Sequence, residues 1–382
     1  MAVTTILLPM LNAQILDFLN VNNIEYEIIQ HSSTCSDLEI EMMLNSCNRE
    51  FANTIILNID GLIHYTFVSA NYDINTNRLK ETLKANRLDL ITEPITITYP
   101  YEFFKVTLID QILANETEEI LFKVESSNKK IVVKVKTSVF MAVFNPKVVS
   151  LNLLPKYRTK IIFVSPESNR NTFEDNENCF FGISLENSHF TRPKLMASLD
   201  WISKRFYSCF VLIGDSIHRI TLETRRGLEP VEAYDKALCL GSEFLHREKT
   251  IFKRFENSCK YNFIFCSEVQ SYPDYNLYYT KLKNFFDQDT SFQNSVKAFS
   301  ENYHRRKQAQ ISNEQWKAHI SRSSEYFLEE FAIFACLVKR NIPVMVYPGS
   351  FSTLTEIVNG KHPKVLQELK DLTVVSLQLK KR

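Results

Sequence analysis

The segment Phe180-Phe181-Gly182-Ile183-Ser184-Leu185-Glu186-Asn187-Ser188 constrains the fold more than any other. It reads as a short buried strand ending in a serine on a turn, just before a helix that starts near Thr191 with Pro193 in its first turn. The chain has only seven glycines, and Gly182 stands two positions before the serine. A glycine there lets the backbone approach a ligand closely, and a strand end opening onto a helix is where open α/β sheets bind substrate. Two readings of Ser184 remain open at this level. It is a nucleophile, or with Asn187 it satisfies loop and helix N-terminal amides.

The residues that follow repeat the pattern. Strands are expected at 179–183, 209–213, 262–266 and 344–347. Between them come helices near 191–206, 230–239, 242–255, 274–286 and 291–310, and a long one from Ser323 to Arg340. Strand–helix alternation of this kind predicts a parallel, doubly wound α/β sheet. The N-terminal half is different: strands at 26–29, 54–59 and 63–68, with Asp60-Gly61 as a hairpin turn, are followed by a helix over 77–83 and strands at 106–109, 119–124 and 130–135. A helix is also expected over 11–21. This half is a mixed α+β domain. The polar, turn-rich run after Pro155 places the division there: a first domain over 1–155, a linker over 156–170 and a second domain over 171–382.

Composition excludes several classes. The longest apolar runs, such as 331–338, fall far short of the ~20 residues needed to span a bilayer. The N-terminus lacks the charged region of a secretory signal. Eight cysteines show no Cys-x-x-Cys pair and no metal-ligand spacing, so reduced, buried thiols in a cytoplasmic protein are expected rather than a disulfide frame or a metal site. The net charge of +1 hides an asymmetry: residues 1–155 carry 12 Lys+Arg and 18 Asp+Glu, leaving 33 and 26 for the remainder. A basic C-terminal half favours a polyanionic partner.

Three further constellations carry chemistry. Tyr326 and Glu330, four apart on the long helix, share a face that continues into Ile333, Phe334 and Leu337. A carboxylate on that apolar stripe needs a buried partner or a cationic ligand. Glu329, about 100° round the helix, is expected to be solvated, and Ser323 or Ser324 to cap the helix. Tyr347-Pro348-Gly349 ends an apolar strand. Basic residues cluster at Arg247, Lys249, Lys253 and Arg254, and again at Arg305-Arg306-Lys307; such runs are solvated faces or phosphate-binding surfaces. There is no Walker loop, no Gly-x-Gly-x-x-Gly and no ATP-binding signature, and Glu186 breaks the Gly-x-Ser-x-Gly elbow of the α/β-hydrolases.

In their order, these segments resemble the tRNA-dependent cyclodipeptide synthases over roughly 170–380. Gly182-Ile-Ser184-Leu-Glu-Asn187-Ser188-His189-Phe190 is similar to the family's Gly-x-Ser-x-x-Asn-Ser-aromatic-Phe segment, and Trp201–Phe206, Val211–Asp215 and Ile220–Leu222 to the elements that follow it. Tyr326-Phe-Leu-Glu-Glu330 resembles its Tyr-x-x-x-Glu helix, and Tyr347 its last strand motif. Tyr347-Pro348 resembles one branch of the family, whereas Asn187 resembles the other. The resemblance implies a Rossmann-like, class I aminoacyl-tRNA-synthetase-like fold with helices on both faces of the sheet. It implies an enzyme that joins amino acids from two aminoacyl-tRNAs into a diketopiperazine, without ATP, metal or other cofactor. On it, Ser184 forms aminoacyl- and dipeptidyl-enzyme intermediates, Glu330 and Tyr326 anchor the substrate amine, Tyr347 assists and Asn187 orients the loop. Phe180, Ile333 and Met345 line a side-chain pocket beside Gly182, and Arg247, Lys249, Lys253 and Arg254 meet tRNA phosphates.

The N-terminal half resembles the YbaK/prolyl-tRNA-editing deacylases through Leu16–Tyr26, His31, Phe51–Leu57, Asp60-Gly61, Asn77-Arg78-Leu79 and Pro100-Tyr101. Asn53 stands where that family has a lysine, and Glu102 where it has a glycine, which implies a degenerate domain. A trans-editing deacylase and a non-catalytic tRNA-binding protein are the alternative functions.

Overall fold

The computed structural model describes residues 4–6, 16, 19–31, 40, 44, 49–91, 95–97, 107–125, 130–151, 153–305 and 312–382. Pro100, Tyr101, Glu102, Arg306, Lys307 and most of the helix expected over 11–21 lie outside the described residues. The chain divides into two compact units, Met1–Lys156 and Tyr157–Arg382.

Among the described residues, the first unit is built on an eight-stranded mixed sheet. Its longest strand, Arg49–Ile59, pairs antiparallel with Leu62–Ser69 and parallel with Glu119–Glu125. The hairpin turn falls on Asp60-Gly61, whose φ values of 50° and 92° are the pair of left-handed conformations that a two-residue loop demands. Asn58 accepts from the Gly61 amide at 2.9 Å. Phe67, Phe122, Phe140 and Phe144 interlock edge-on and stacked in the core, with Phe140 and Phe144 4.3 Å apart.

In the second unit we label the strands β1 (Tyr157–Ser165), β2 (Asn178–Ile183), β3 (Ser208–Ile213), β4 (Lys260–Phe265), β5 (Val344–Tyr347) and β6 (Thr373–Lys381). The helices are α1 (Arg192–Ser203), α2 (His218–Arg226), α3 (Pro230–Lys253), α4 (Cys266–Gln270), α5 (Tyr275–Gln288), α6 (Thr290–Arg305), α7 (Asn313–Val338), α8 (Ser352–Val358) and α9 (Gln367–Lys370). The sheet order is β1-β6-β5-β2-β3-β4, with every pair parallel except β1 against β6. This is an open, Rossmann-like doubly wound sheet. Its apolar strands are covered on both faces, as a parallel sheet requires.

Three sequence expectations change here. The segment expected to be a linker is largely strand β1, and only the residues after Ser165 form short 3-10 turns. Its alternation of half-buried and exposed residues, with Arg158 and Lys160 outward, suits an edge strand whose charges discourage further pairing. The two helices expected on either side of Gly241 are one helix, α3, of 24 residues. Gly241 does not break it but lets it press on the β3 end, since a Cβ there would lie 2.7 Å from Asp215 Cβ. Helix α7 begins ten residues earlier than expected, at Asn313, with a capping box between Ser312 and Gln315. Ser323 and Ser324 are therefore buried mid-helix residues, and Ser324 Oγ donates back to the Ile320 carbonyl at 2.8 Å.

Candidate active site

The parallel strands are laid down from β2 outward to β3 and β4, and the chain then returns to the other side of β2 to add β5. The crevice at the C-terminal ends of β2 and β5 is thus the topological switch point, where sheets of this kind bind ligands. Ser184 follows the last residue of β2, and Tyr347 is the last residue of β5. Their hydroxyls are hydrogen-bonded at 3.0 Å. Parallel pairing of Phe180 with Met345 and Phe181 with Val346 carries on to set Gly182 beside Tyr347. A Cβ at Gly182 would meet only the Tyr347 ring, at an ordinary 3.7 Å, so no clash within the protein demands glycine there. Tyr347 is seated between Phe190 and Phe351, with ring centroids at 5.9 and 4.7 Å.

Helix α7 brings the amine-binding candidates to the same level. Phe180 on β2 packs on Phe334 of α7 at 5.3 Å. Because α7 leads directly into β5, which is parallel to β2, the helix runs antiparallel to β2. One helical turn back from Phe334 is Glu330, and two residues on from Phe180 is Gly182; those steps are about 5.4 and 6.6 Å. One further turn sets Tyr326 at the level of Ser184. Phe180, Ile333 and Met345 sit in the same buried cluster below them, with Tyr326 and Tyr347 packed against it.

Glu330 is buried, and its Oε2 has no hydrogen-bond partner. Burial pushes its carboxyl up to about 8. The carboxylates of Asp215, Glu330 and Glu329 all lie close enough to act on the buried Cys266 thiol at the start of α4. Glu329 overturns the expectation of a solvated residue. It is buried, receives two bonds from the Arg219 guanidinium at 2.9 and 2.5 Å, and accepts from Gln270 Nε2 at 3.1 Å. Its partner sits on α2, 110 residues away, so helical spacing alone carried no sign of it.

The turn after Ser184 is held by residues that sequence reading missed. Glu186 has φ 55°, a left-handed conformation uncommon outside glycine and asparagine. Its carboxylate meets His218 Nε2 at 3.2 Å and the Arg226 guanidinium. The His218 hydrogen bond, with the Arg226 charge, holds this carboxyl below the usual range. Asn187 caps the following 3-10 turn by accepting from the His189 amide at 3.0 Å.

The basic residues expected on one helix do lie on α3 and at its end. Lys249 and Lys253 are exposed. Arg247 instead pairs with Glu248 at 2.7 Å, and Glu248 is itself buried against Arg192 of α1. Among the described cysteines, five are buried and Cys239 is exposed. No group of metal-ligating side chains occurs among the described residues, and no helix among them is long and apolar enough to cross a membrane.

Fold and crevice together define a Rossmann-like α/β protein with a polar site at its switch point. The cyclodipeptide synthase family model matches residues 164–361, and the chain belongs to that family of aminoacyltransferases, which make cyclic dipeptides from aminoacyl-tRNAs. Among solved structures the chain is similar to a cyclodipeptide synthase from Fluoribacter dumoffii, at 21% identity and TM-score 0.50 over 59% of this chain and 99% of that one. It is also similar to one from Bacillus thermoamylovorans, at 17% identity and TM-score 0.46 over 59% and 97%. A third, from Candidatus Glomeribacter gigasporarum, was solved with Phe-tRNAPhe bound and matches at 17% identity and TM-score 0.44 over 57% and 94%. No curated protein matches.

Proposed function

We propose that Ser184 is the nucleophile through which two aminoacyl-tRNAs are joined. The observation that carries this reading is the Ser184–Tyr347 hydroxyl pair at the switch point. Helix α7, which carries Glu330 with its unpartnered Oε2, packs on the same strand through Phe334 against Phe180. Ser184 Oγ attacks the ester carbonyl of the first aminoacyl-tRNA. The Oγ–C bond forms, the bond to the ribose oxygen breaks, and the serine proton ends on that oxygen, with Tyr347 Oη as the adjoining relay. Ester is exchanged for ester, so the step is nearly isoenergetic and needs no nucleotide; positioning and proton handling supply the rate.

Glu330 holds the α-ammonium of the bound aminoacyl group. A buried carboxyl raised to about 8 is costly to ionise alone, and a cationic ligand offsets that cost. Tyr326, one turn along α7, contacts the same amine. The amine of the Ser184-bound aminoacyl group attacks the ester carbonyl of the second aminoacyl-tRNA. The peptide C–N bond forms, the bond to the second ribose oxygen breaks, that oxygen takes the amine proton, and Ser184 is left carrying a dipeptidyl ester. Its free amine then closes on the serine ester, releasing the diketopiperazine and restoring the hydroxyl. Asn187 shapes the loop by capping the turn beside it. Phe180, Ile333 and Met345 line the first side-chain pocket. Lys249, Lys253, Arg254 and the exposed part of Arg247 meet tRNA phosphates. Dependence on charged tRNA places the reaction in the cytoplasm.

We also propose that the first unit is a degenerate relative of the editing deacylases. Asn53 is exposed on the strand Arg49–Ile59, and an uncharged amide supplies no cation beside an ester.

The test is incubation with a pool of charged tRNAs. A cyclic dipeptide should form, and mass spectrometry should find an aminoacyl adduct on Ser184 that is absent in Ser184→Ala. Release of free amino acid alone would favour editing instead, and no product from any charged tRNA would refute synthesis.

A further inference from the structure

Helix α2 touches both halves of the site. One set of its side chains reaches the turn after Ser184: His218, its first residue, and Arg226, its last, both bind the Glu186 carboxylate. Another set reaches α7: Arg219 is bonded twice to Glu329, and Glu223 takes two bonds from Arg322 at 2.6 and 3.0 Å. His218 is buried, and its backbone amide is fixed by the Asp215 carbonyl at 2.9 Å. Asp215 is in turn tied to Ser267 at the start of α4. The helix is therefore pinned at its start and ion-paired along its length. Its remaining polar arms grip a residue two positions from the nucleophile.

Glu186 is an unusual residue for the conformation it holds. A left-handed φ at that position would suit glycine or asparagine better. A glutamate retained there is explained by what its side chain reaches. The side chain bridges to α2, which in turn is bolted to the helix that carries Tyr326 and Glu330.

We propose that Glu186 is a positioning residue: by bridging His218 and Arg226 it locks the Ser184 turn in register with the amine-binding helix α7. This rests on Ser184 being the nucleophile. The reaction needs Ser184 Oγ and the amine anchor at one fixed separation, and a misplacement of about 1 Å costs on the order of 10²-fold in rate. Removing the bridge leaves binding intact and lets the serine wander.

The experiment is rapid-quench measurement of Ser184 acylation by a radiolabelled pool of total aminoacyl-tRNA. Glu186→Gly, which accommodates the backbone conformation without the bridge, should acylate about 10²-fold more slowly, with KM for tRNA and Tm close to wild type. Glu186→Gln, which keeps the reach and one acceptor, should recover most of the rate. Arg226→Gln removes only the half-exposed arm of the bridge and should cost about threefold to tenfold. A Glu186→Gly enzyme that acylates at the wild-type rate would overturn the inference while leaving Ser184 as nucleophile. A wild-type enzyme that never acylates Ser184 would overturn both.

Discussion

Glu329 and Glu330 are adjacent on α7 and equally buried, yet their surroundings are opposite. Glu329 is fully engaged by Arg219 and Gln270, whereas Glu330 keeps an oxygen without a partner. Two neighbouring carboxylates thus stand in opposite states. One fastens α7 to α2, and the other keeps a buried oxygen with no hydrogen-bond partner, where the proposed substrate amine would sit.

Glu330 should cost the free protein stability in a pH-dependent way. Its folded carboxyl is raised to about 8 from an ordinary value near 4.5, so the folded state holds the proton more tightly than the unfolded chain. Its contribution is most favourable below about pH 4.5 and is lost as pH rises through about 8. Glu330→Gln should therefore raise Tm relative to wild type at pH 8.5, by an amount reflecting a few kcal/mol, and change it little at pH 5. The same variant should lose cyclic dipeptide formation. Equal Tm differences at both pH values would contradict the burial of an unpaired carboxyl.

Breaking the neighbouring pair should act differently. Arg219→Met strands Glu329 as a buried, uncompensated charge and should destabilise by about 3–5 kcal/mol. Adding Glu329→Leu should restore most of that loss, because an apolar pair of similar volume replaces a buried ion pair at little cost. Chemical denaturation of the two single variants and the double variant measures this coupling directly.

Tyr347→Phe keeps the ring between Phe190 and Phe351 and removes only the hydroxyl facing Ser184. Folding should be unaffected, while acylation of Ser184 falls by about 10²-fold. Unchanged single-turnover rates would remove Tyr347 from the proton path.

Gly241→Ala offers a test of packing with two opposed effects. An alanine in an exposed helix interior would gain about 1 kcal/mol over glycine. Here the new methyl would meet Asp215 Cβ at 2.7 Å, and overpacking costs about 1–3 kcal/mol. The clash should win and Tm should fall, with loosening of the Asp215–Ser267 contact.

Lys249→Glu with Lys253→Glu should weaken tRNA binding without altering the structure of α3, since both side chains are exposed. If each contacts one phosphate, the slope of log affinity against log salt should flatten by about 1.5. An unchanged slope would place the tRNA elsewhere.

The sheet was legible in the sequence because it rests on local signals, and the candidate site positions were legible only through the order of motifs that resembles the family. Phe180–Ile183 and Val344–Tyr347 are short apolar runs that end in polar turns, and Tyr326 and Glu330 share a helical face. The ties between elements were not legible. Glu186 meets partners 32 and 40 residues away, and Glu329 one 110 residues away, so no periodicity marks them. Gly241 read as an interruption for a related reason. Its neighbour across the helix surface, Asp215, belongs to another element, and only the folded contact explains why a glycine continues the helix.

The pairing of β1 with β6 has a consequence for biosynthesis. Tyr157 aligns with Lys381, so the first strand of the second unit is hydrogen-bonded to the last. Strand β6 also stands between β1 and β5 in the sheet. A ribosome adding 5–20 residues per second leaves β1 waiting roughly 10–40 s for its neighbour. Late in that interval, once Val344–Tyr347 has emerged, the outer edge of β5 has nothing beside it until Thr373–Lys381 follows. The sheet beside the crevice can therefore be completed only after Thr373–Ser376 have emerged, and a chain stopped before Thr373 would lack the strand that pairs with Val344–Tyr347.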